Sequence, residues 1–207
     1  ELGAEWIEID VFPVEHELVV MHDETLDRCT NGTGNVLECS LDYLRTLDAG
    51  KGERVPYLRE VFEIIGTSAK LNIELKWTGM AERVVQLIEE YVSDHGWTYE
   101  RILVSSLFHG EVQKVKWLQP KILTAPVFFG PPPENYLQIA GELGASSLTM
   151  DADYINKEMV KAAHHAGLKV FVFTVNTPEE IDRMKAIGVD GVFTNFPEIL
   201  QKSNHEV

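Results

Sequence analysis

The chain has 207 residues, 44% hydrophobic and 25% charged, with 33 acidic side chains against 18 Lys and Arg and a formal net charge of −15. That length and apolar content suffice for one full core, and no run approaches the roughly eighteen continuous apolar residues of a membrane span. The acidic balance argues against a polyanion-binding surface, so no nucleic acid partner is expected, and an anionic small molecule would depend on a local cation.

The first element in chain order is the run "AEWIEIDV". On a strand, Glu8 and Asp10 point to one face while Ile7, Ile9 and Val11 line the other. Two like charges on one face raise at least one carboxyl pKa, so a metal ion or a cationic side chain is expected between them. A solvated face of an amphipathic strand is the competing reading. "ELVVMH" at 17–22 reads as a short extra strand that leaves His22 at its end, followed by Asp23. Cys29 and Cys39 are too few for a disulfide framework and lack the partners of a zinc site. Two free thiols in a reducing compartment such as the cytoplasm are the default, with a Cys29–Cys39 bridge as the alternative.

From residue 70 onward the apolar runs "KLNIELK", "RILVSS", "KILTAPVFF", "SSLTMD", "LKVFVFTV" and "VDGVFTN" recur at intervals of about 20 to 30 residues, enough for a strand, a loop and a helix each time. One intervening helix is "MAERVVQLIEEYV", where Val84, Ile88, Tyr91 and Val92 form an apolar stripe opposite Glu82, Glu89 and Glu90. Gly3, Gly144, Gly167 and Gly188 stand where helices should end and strands begin. Nearly continuous apolar strands with this punctuation predict a parallel sheet covered by helices, with seven βα strands. A closed parallel barrel has eight strands and around 250 residues. Because "ELGAEW" reads as the tail of a helix running into a strand, one leading βα unit of roughly thirty residues is expected to precede this sequence. The competing open doubly wound sheet would want a glycine-rich phosphate loop after its first strand, and none is present.

In a barrel the carboxyl ends of the strands face the catalytic mouth. Glu8 and Asp10 are expected to end one strand, and Glu74 with Lys76, again two apart, the next. Three carboxylates and a lysine converging there call for a divalent cation, and oxygen-only ligation suits Mg²⁺ or Ca²⁺ better than zinc. Lys76 would then be free to meet a phosphate oxygen. A structural Glu74–Lys76 ion pair is the alternative.

The segments "EIDV", "MHDETLDRCTNGTG", "LDAG", "VPYLREVF", "NIELK", "VSS", "FTVN" and "GVDGVFTNFP" resemble, in order and over nearly the whole chain, the glycerophosphodiester phosphodiesterases. The resemblance implies one α/β domain over 1–207, a TIM-type (β/α)8 barrel with a small insertion after the second strand, here about Glu24 to Pro56. It implies a metal site of Glu8, Asp10 and Glu74 holding one divalent cation, His22 as a catalytic acid or base, and Lys76 on the phosphate. The implied substrate is a small glycerophosphodiester, hydrolysed to sn-glycerol 3-phosphate and an alcohol. That chemistry requires neutralising the equatorial oxygens, activating an attacking oxygen and protonating an alkoxide. A related phosphodiesterase acting on lysophospholipids or phosphoinositide-like lipids, and an inactive binding protein of the same fold, are the other readings.

The family's first strand ends in a His-Arg-Gly motif whose histidine partners the one equivalent to His22, and nothing in this sequence matches it; the motif is expected in the leading unit. His16, His95, His164, His165 and His205 fall in turns, helices or the tail, and His109 follows "VSSLF" near the mouth without a family counterpart. Ser105, Ser106 and Phe108 are weaker candidates for bordering the substrate. Asn176 and Asn195 are more simply turn or capping residues. Phe173 stands where the family often has Trp, and Asp151 with Asp153 are fallback metal ligands.

Overall fold

The computed structural model of the protein describes residues 4–202; Gly3 and His205 lie outside the described residues. Strand β1 (Trp6–Val14) pairs in parallel with β3 (Lys70–Leu75), from Trp6 opposite Lys70 to Val11 opposite Leu75. The five later runs become β4 (Ile102–Ser106), β5 (Leu123–Phe128), β6 (Ser147–Asp151), β7 (Lys169–Phe173) and β8 (Gly191–Val192), each parallel to its neighbour. The extra strand β2 (Glu17–Val20) pairs antiparallel to β1, so the order is β2-β1-β3-β4-β5-β6-β7-β8. Seven parallel strands and one antiparallel addition match the expectation from the sequence.

One boundary differs. Glu8 and Asp10 do not end their strand, because β1 runs on to Val14 and closes a tight hairpin with β2 through Glu15 and His16, with Glu15 at φ 47°. Residues 11–14 gain ladder partners from β2 only there, Val11 opposite Val20 and Val14 opposite Glu17. The sheet curls until Trp6 of β1 meets Phe171 of β7, ring centroids 6.4 Å apart. Among the described residues β1 and β8 are not paired with each other, so the curled sheet is a half-barrel of TIM type with an open seam.

Helices cover the outside. Helix α3 (Ala81–Asp94) follows β3 and buries Val84, Ile88 and Tyr91, the face its periodicity announces. With α2 (Leu58–Ile65) and α4 (His109–Leu118) it closes a core over β1, β3 and β4, in which Phe62 stacks on Tyr91 (4.5 Å) and meets Trp97 edge-on (4.9 Å). A second core packs α5 (Tyr136–Glu142), α6 (Lys157–His165) and α7 (Pro178–Ile187) on the later strands. The segment between β2 and α2 carries a core of its own. Leu26, Val36, Leu41, Leu44, Leu47 and Val55, with α1 (Leu41–Leu44), pack on the far half of β1. Arg45 clamps it to α2 through a two-pronged contact with Glu60, 2.6 and 2.7 Å. Cys29 and Cys39 are both free thiols. Among the described residues no helix is long and apolar enough to cross a membrane.

The joint between β3 and α3 positions the site. Glu111, buried in the first turn of α4, accepts hydrogen bonds from the backbone N–H groups of Gly79, Met80 and Ala81 at 2.8, 2.9 and 2.8 Å. A carboxylate from a neighbouring helix thus satisfies the orphan donors at the start of α3. Glu111→Ala leaves these amides without an acceptor and should cost about 3 kcal/mol in urea unfolding. A loss below about 1 kcal/mol would show that water replaces the carboxylate and that the joint does not depend on it.

Candidate active site

The register of β1 on β3 sets Asp10 beside Glu74 and Glu8 beside Asn72, one step deeper in the interior. Side chains at i and i+2 share a face, so Glu8, Asp10 and Glu74 converge, with one oxygen of each within 4.8 Å of the others. Lys76, immediately past β3, is fixed by its N–H to the Val11 carbonyl at 3.0 Å and reaches back with Nζ to Asp10 Oδ1 (3.0 Å) and Glu74 Oε1 (3.2 Å). Lys76 is therefore paired with the carboxylates rather than standing apart from them.

One ammonium does not balance three carboxylates. Burial, reinforced by the charges of Asp10 and Glu74, pushes the Glu8 carboxyl up to about 8. Burial also raises Asp10 and Glu74 despite the opposing pull of Lys76. Burial draws the Lys76 ammonium down, but Glu74 and Asp10 together outweigh it and hold the pKa above the ordinary lysine value.

His22 stands over this cluster because the Met21 N–H bonds to the Asp10 carbonyl at 3.0 Å, tying the end of β2 to the middle of β1. Its Nδ1 lies 2.5 Å from Asp23 Oδ1, and Arg28 grips the same carboxylate with Nε and Nη2, both at 2.6 Å. Two donors from Arg28, ahead of the His22 ring, hold the Asp23 carboxyl far below the usual range. An Asp23 that stays ionised accepts a hydrogen bond from Nδ1–H, which leaves Nε2 as the unprotonated ring nitrogen. Arg28 is the member that sequence reasoning passed over; its only signal is its place five residues after Asp23 in "HDETLDR".

The weaker candidates are otherwise engaged. Ser105 donates to Asn72 Oδ1 at 3.0 Å, while Ser106 donates to the Leu75 carbonyl at 2.6 Å and accepts the Phe108 N–H at 2.9 Å. Asn176 accepts the Asn195 N–H at 3.0 Å, a loop-to-loop tie. Asp151 is occupied by the N–H groups of Gly130 (3.1 Å) and Asp153 (3.0 Å), Asp153 is exposed, and among the described residues this pair gathers no third ligand. His109 opens α4 with Nε2 3.0 Å from the Val127 carbonyl. Phe173 lines the cleft and stacks on Phe129 at 6.4 Å.

A curled parallel sheet with carboxylates, a lysine and a histidine gathered at one end of its strands is the arrangement of a TIM-type hydrolase. Residues 1–199 match the model of the Glycerophosphoryl diester phosphodiesterase family, and the chain belongs to that family. It is 37% identical to the glycerophosphodiester phosphodiesterase of Caldanaerobacter subterraneus, over 97% of this chain and 86% of that one. To the enzyme of the same name from Bacillus altitudinis it is 34% identical, over 99% and 88%. Among solved structures, an Oleispira antarctica phosphodiesterase in complex with the product sn-glycerol-3-phosphate superposes with a TM-score of 0.88 at 28% identity, covering 98% of this chain and 86% of that one. The protein is accordingly an enzyme of the phosphodiester hydrolase class.

The raised Glu8 carboxyl has a measurable consequence. The unfolded chain releases this proton near 4.5, whereas the folded protein keeps it to about 8. Across that window the folded state binds the extra proton, so stability should fall as pH rises. Melting curves in EDTA should show that fall, smaller in Glu8→Gln; stability that climbs with pH through the window would contradict the buried-carboxylate picture.

Proposed function

We propose that this single barrel domain hydrolyses glycerophosphodiesters to sn-glycerol 3-phosphate and an alcohol. One divalent cation would be held by Glu8, Asp10 and Glu74, with His22 as an acid/base group and Lys76 on the phosphate. The observation that carries the reading is the convergence of three carboxylate oxygens within 4.8 Å, offset by one lysine, beneath a histidine oriented by an aspartate. An all-oxygen, triply anionic donor set fits a hard cation, Mg²⁺ or Ca²⁺. Burial raises all three carboxyls, a cost that a cation among them would offset.

When bound, such a cation supplies Lewis-acid neutralisation of the phosphate oxygens. The chain's own groups do the rest. The Lys76 ammonium meets a non-bridging phosphate oxygen as a compact point charge. His22 exchanges a proton at Nε2 with the attacking or departing oxygen, while Asp23, itself gripped by Arg28, keeps the ring in one tautomer and orientation.

The test uses the full-length protein, purified glycerophosphodiesters and enzymatic detection of sn-glycerol 3-phosphate. His22→Ala should lower kcat by about 10² to 10⁴-fold, and chelation should abolish turnover until Mg²⁺ or Ca²⁺ is restored. Lys76→Ala should weaken inorganic phosphate binding while leaving Mg²⁺ or Ca²⁺ affinity, measured calorimetrically, intact or tighter, because a competing cation is gone. Equal loss of phosphate and metal binding in Lys76→Ala would make the lysine structural. Full activity in His22→Ala would remove the histidine from the mechanism.

A further inference from the structure

Glu111 is a buried carboxylate that the proposed reaction leaves unused. It lies in the first turn of α4, 8% exposed, with Oε1 accepting the N–H of Gly79 and Oε2 accepting those of Met80 and Ala81. Helix α3 has no local cap: its N-cap residue is Met80, whose side chain offers no oxygen, and Met80 and Ala81 are fully buried. A Ser or Asp at position 80 would satisfy these amides locally, whereas a carboxylate brought from another helix must first be desolvated. What the distant cap adds is a tie between two loops of the mouth.

We infer that Glu111 is a positioning residue for phosphate binding, acting through Lys76, an inference that rests on reading Lys76 as the phosphate contact. Only Trp77 and Thr78 separate Lys76 from the clamped Gly79. The loop is thus pinned at both ends, by the Lys76 N–H on the Val11 carbonyl (3.0 Å) and by Gly79, at φ 77°, on Glu111 (2.8 Å). The residue before Lys76 is braced from the same side. Ser106, fully buried, donates to the Leu75 carbonyl at 2.6 Å and accepts the Phe108 N–H at 2.9 Å, and the Glu111 N–H bonds the Phe108 carbonyl at 2.8 Å. The chain on either side of Lys76 is therefore held by one corner of β4 and α4.

Lys76 needs such a mount. Its ammonium is a point charge on a flexible four-carbon stem, and Nζ sits 3.0 Å from Asp10 and 3.2 Å from Glu74, which draw it toward the acidic cluster. Whether Nζ also reaches a phosphate oxygen depends on where the backbone of Lys76 is fixed, and a misplacement of about 1 Å can cost about 10²-fold. Charge alone predicts the opposite effect of Glu111. Removing a carboxylate near an anion site should tighten phosphate binding, whereas loosening the mount of Lys76 should weaken it, so the two roles differ in sign.

The experiment titrates inorganic phosphate into the full-length protein at saturating Mg²⁺, by calorimetry, in a double-mutant cycle of Glu111→Gln and Lys76→Ala. Glu111→Gln keeps the shape but offers one acceptor oxygen in place of two, and should weaken phosphate binding about 3- to 10-fold, the coupling of residues in one network. Mg²⁺ affinity should stay unchanged. In the Lys76→Ala background the same substitution should have no effect on phosphate, because the group it positions is gone. Phosphate affinity unchanged or tightened by Glu111→Gln would overturn the inference while leaving Lys76 on the phosphate. A loss that persists undiminished beside Lys76→Ala would overturn it too, since it marks a general loosening of the fold. Should Lys76→Ala alone bind phosphate as the unsubstituted protein does, the reading of Lys76 fails and the inference with it. Where Glu111→Gln does not fold, Glu111→Asp, which keeps the charge and shortens the reach, takes its place in the cycle with the same expected result.

Discussion

The register that places Asp10 opposite Glu74 is the constraint on which the rest depends. Side chains on a strand alternate between faces, so a slip of one residue between β1 and β3 would turn Glu8 and Asp10 into the helix-facing core and bring Ile9 and Val11 inward. That slip is forbidden twice over. Val11, Leu71, Ile73 and Leu75 are buried against α2, α3 and α4, and the same β1 is held on its other side by β2. The apolar face thereby enforces the geometry of the polar one, and hydrophobic burial stabilises a cluster of like charges that would not assemble on its own account.

From that register the site grows outward along separate routes. Lys76 arrives because it follows directly on β3, its N–H bonded to the Val11 carbonyl of β1. His22 arrives from the opposite side through the hairpin, and Asp23 with Arg28 fixes how its ring is presented. Trp77 and Phe108, whose rings meet edge-on at 6.1 Å, sit on the two loops that follow β3 and β4. The groups lie at the exits of β2, β3 and β4, which is how a barrel scaffold gathers side chains from several strands at one mouth.

Much of this was legible in the chain. Seven parallel strands followed from the recurrence of apolar runs, and the convergence of Glu8, Asp10 and Glu74 from simple i, i+2 alternation within them. Other features were hidden because they depend on distance in space rather than in sequence. The extension of β1 to Val14 exists only because β2 folds back on it, and no local propensity announces that. The hold of Arg28 on Asp23 needs the insertion to turn back on itself. Glu111 reads as an ordinary acidic residue in the first turn of α4, yet it caps α3 thirty residues earlier. Asp151 and Asp153 imitate the metal pattern by spacing alone; backbone amides claim one, and the other is exposed beside Arg183.

The insertion has its own apolar core, centred on Leu26, Leu44 and Val36, whereas the carboxylates ride on the core of β1, β3 and the helices behind them. The histidine and the acidic cluster therefore draw their order from two bodies of packed side chains, joined by clamps such as Arg45 with Glu60. Local opening of the insertion costs only its own contacts and leaves the barrel interior intact. Repacking residues 24–56 can accordingly change how the His22 ring is presented while the packing behind Glu8, Asp10 and Glu74 stays as it is.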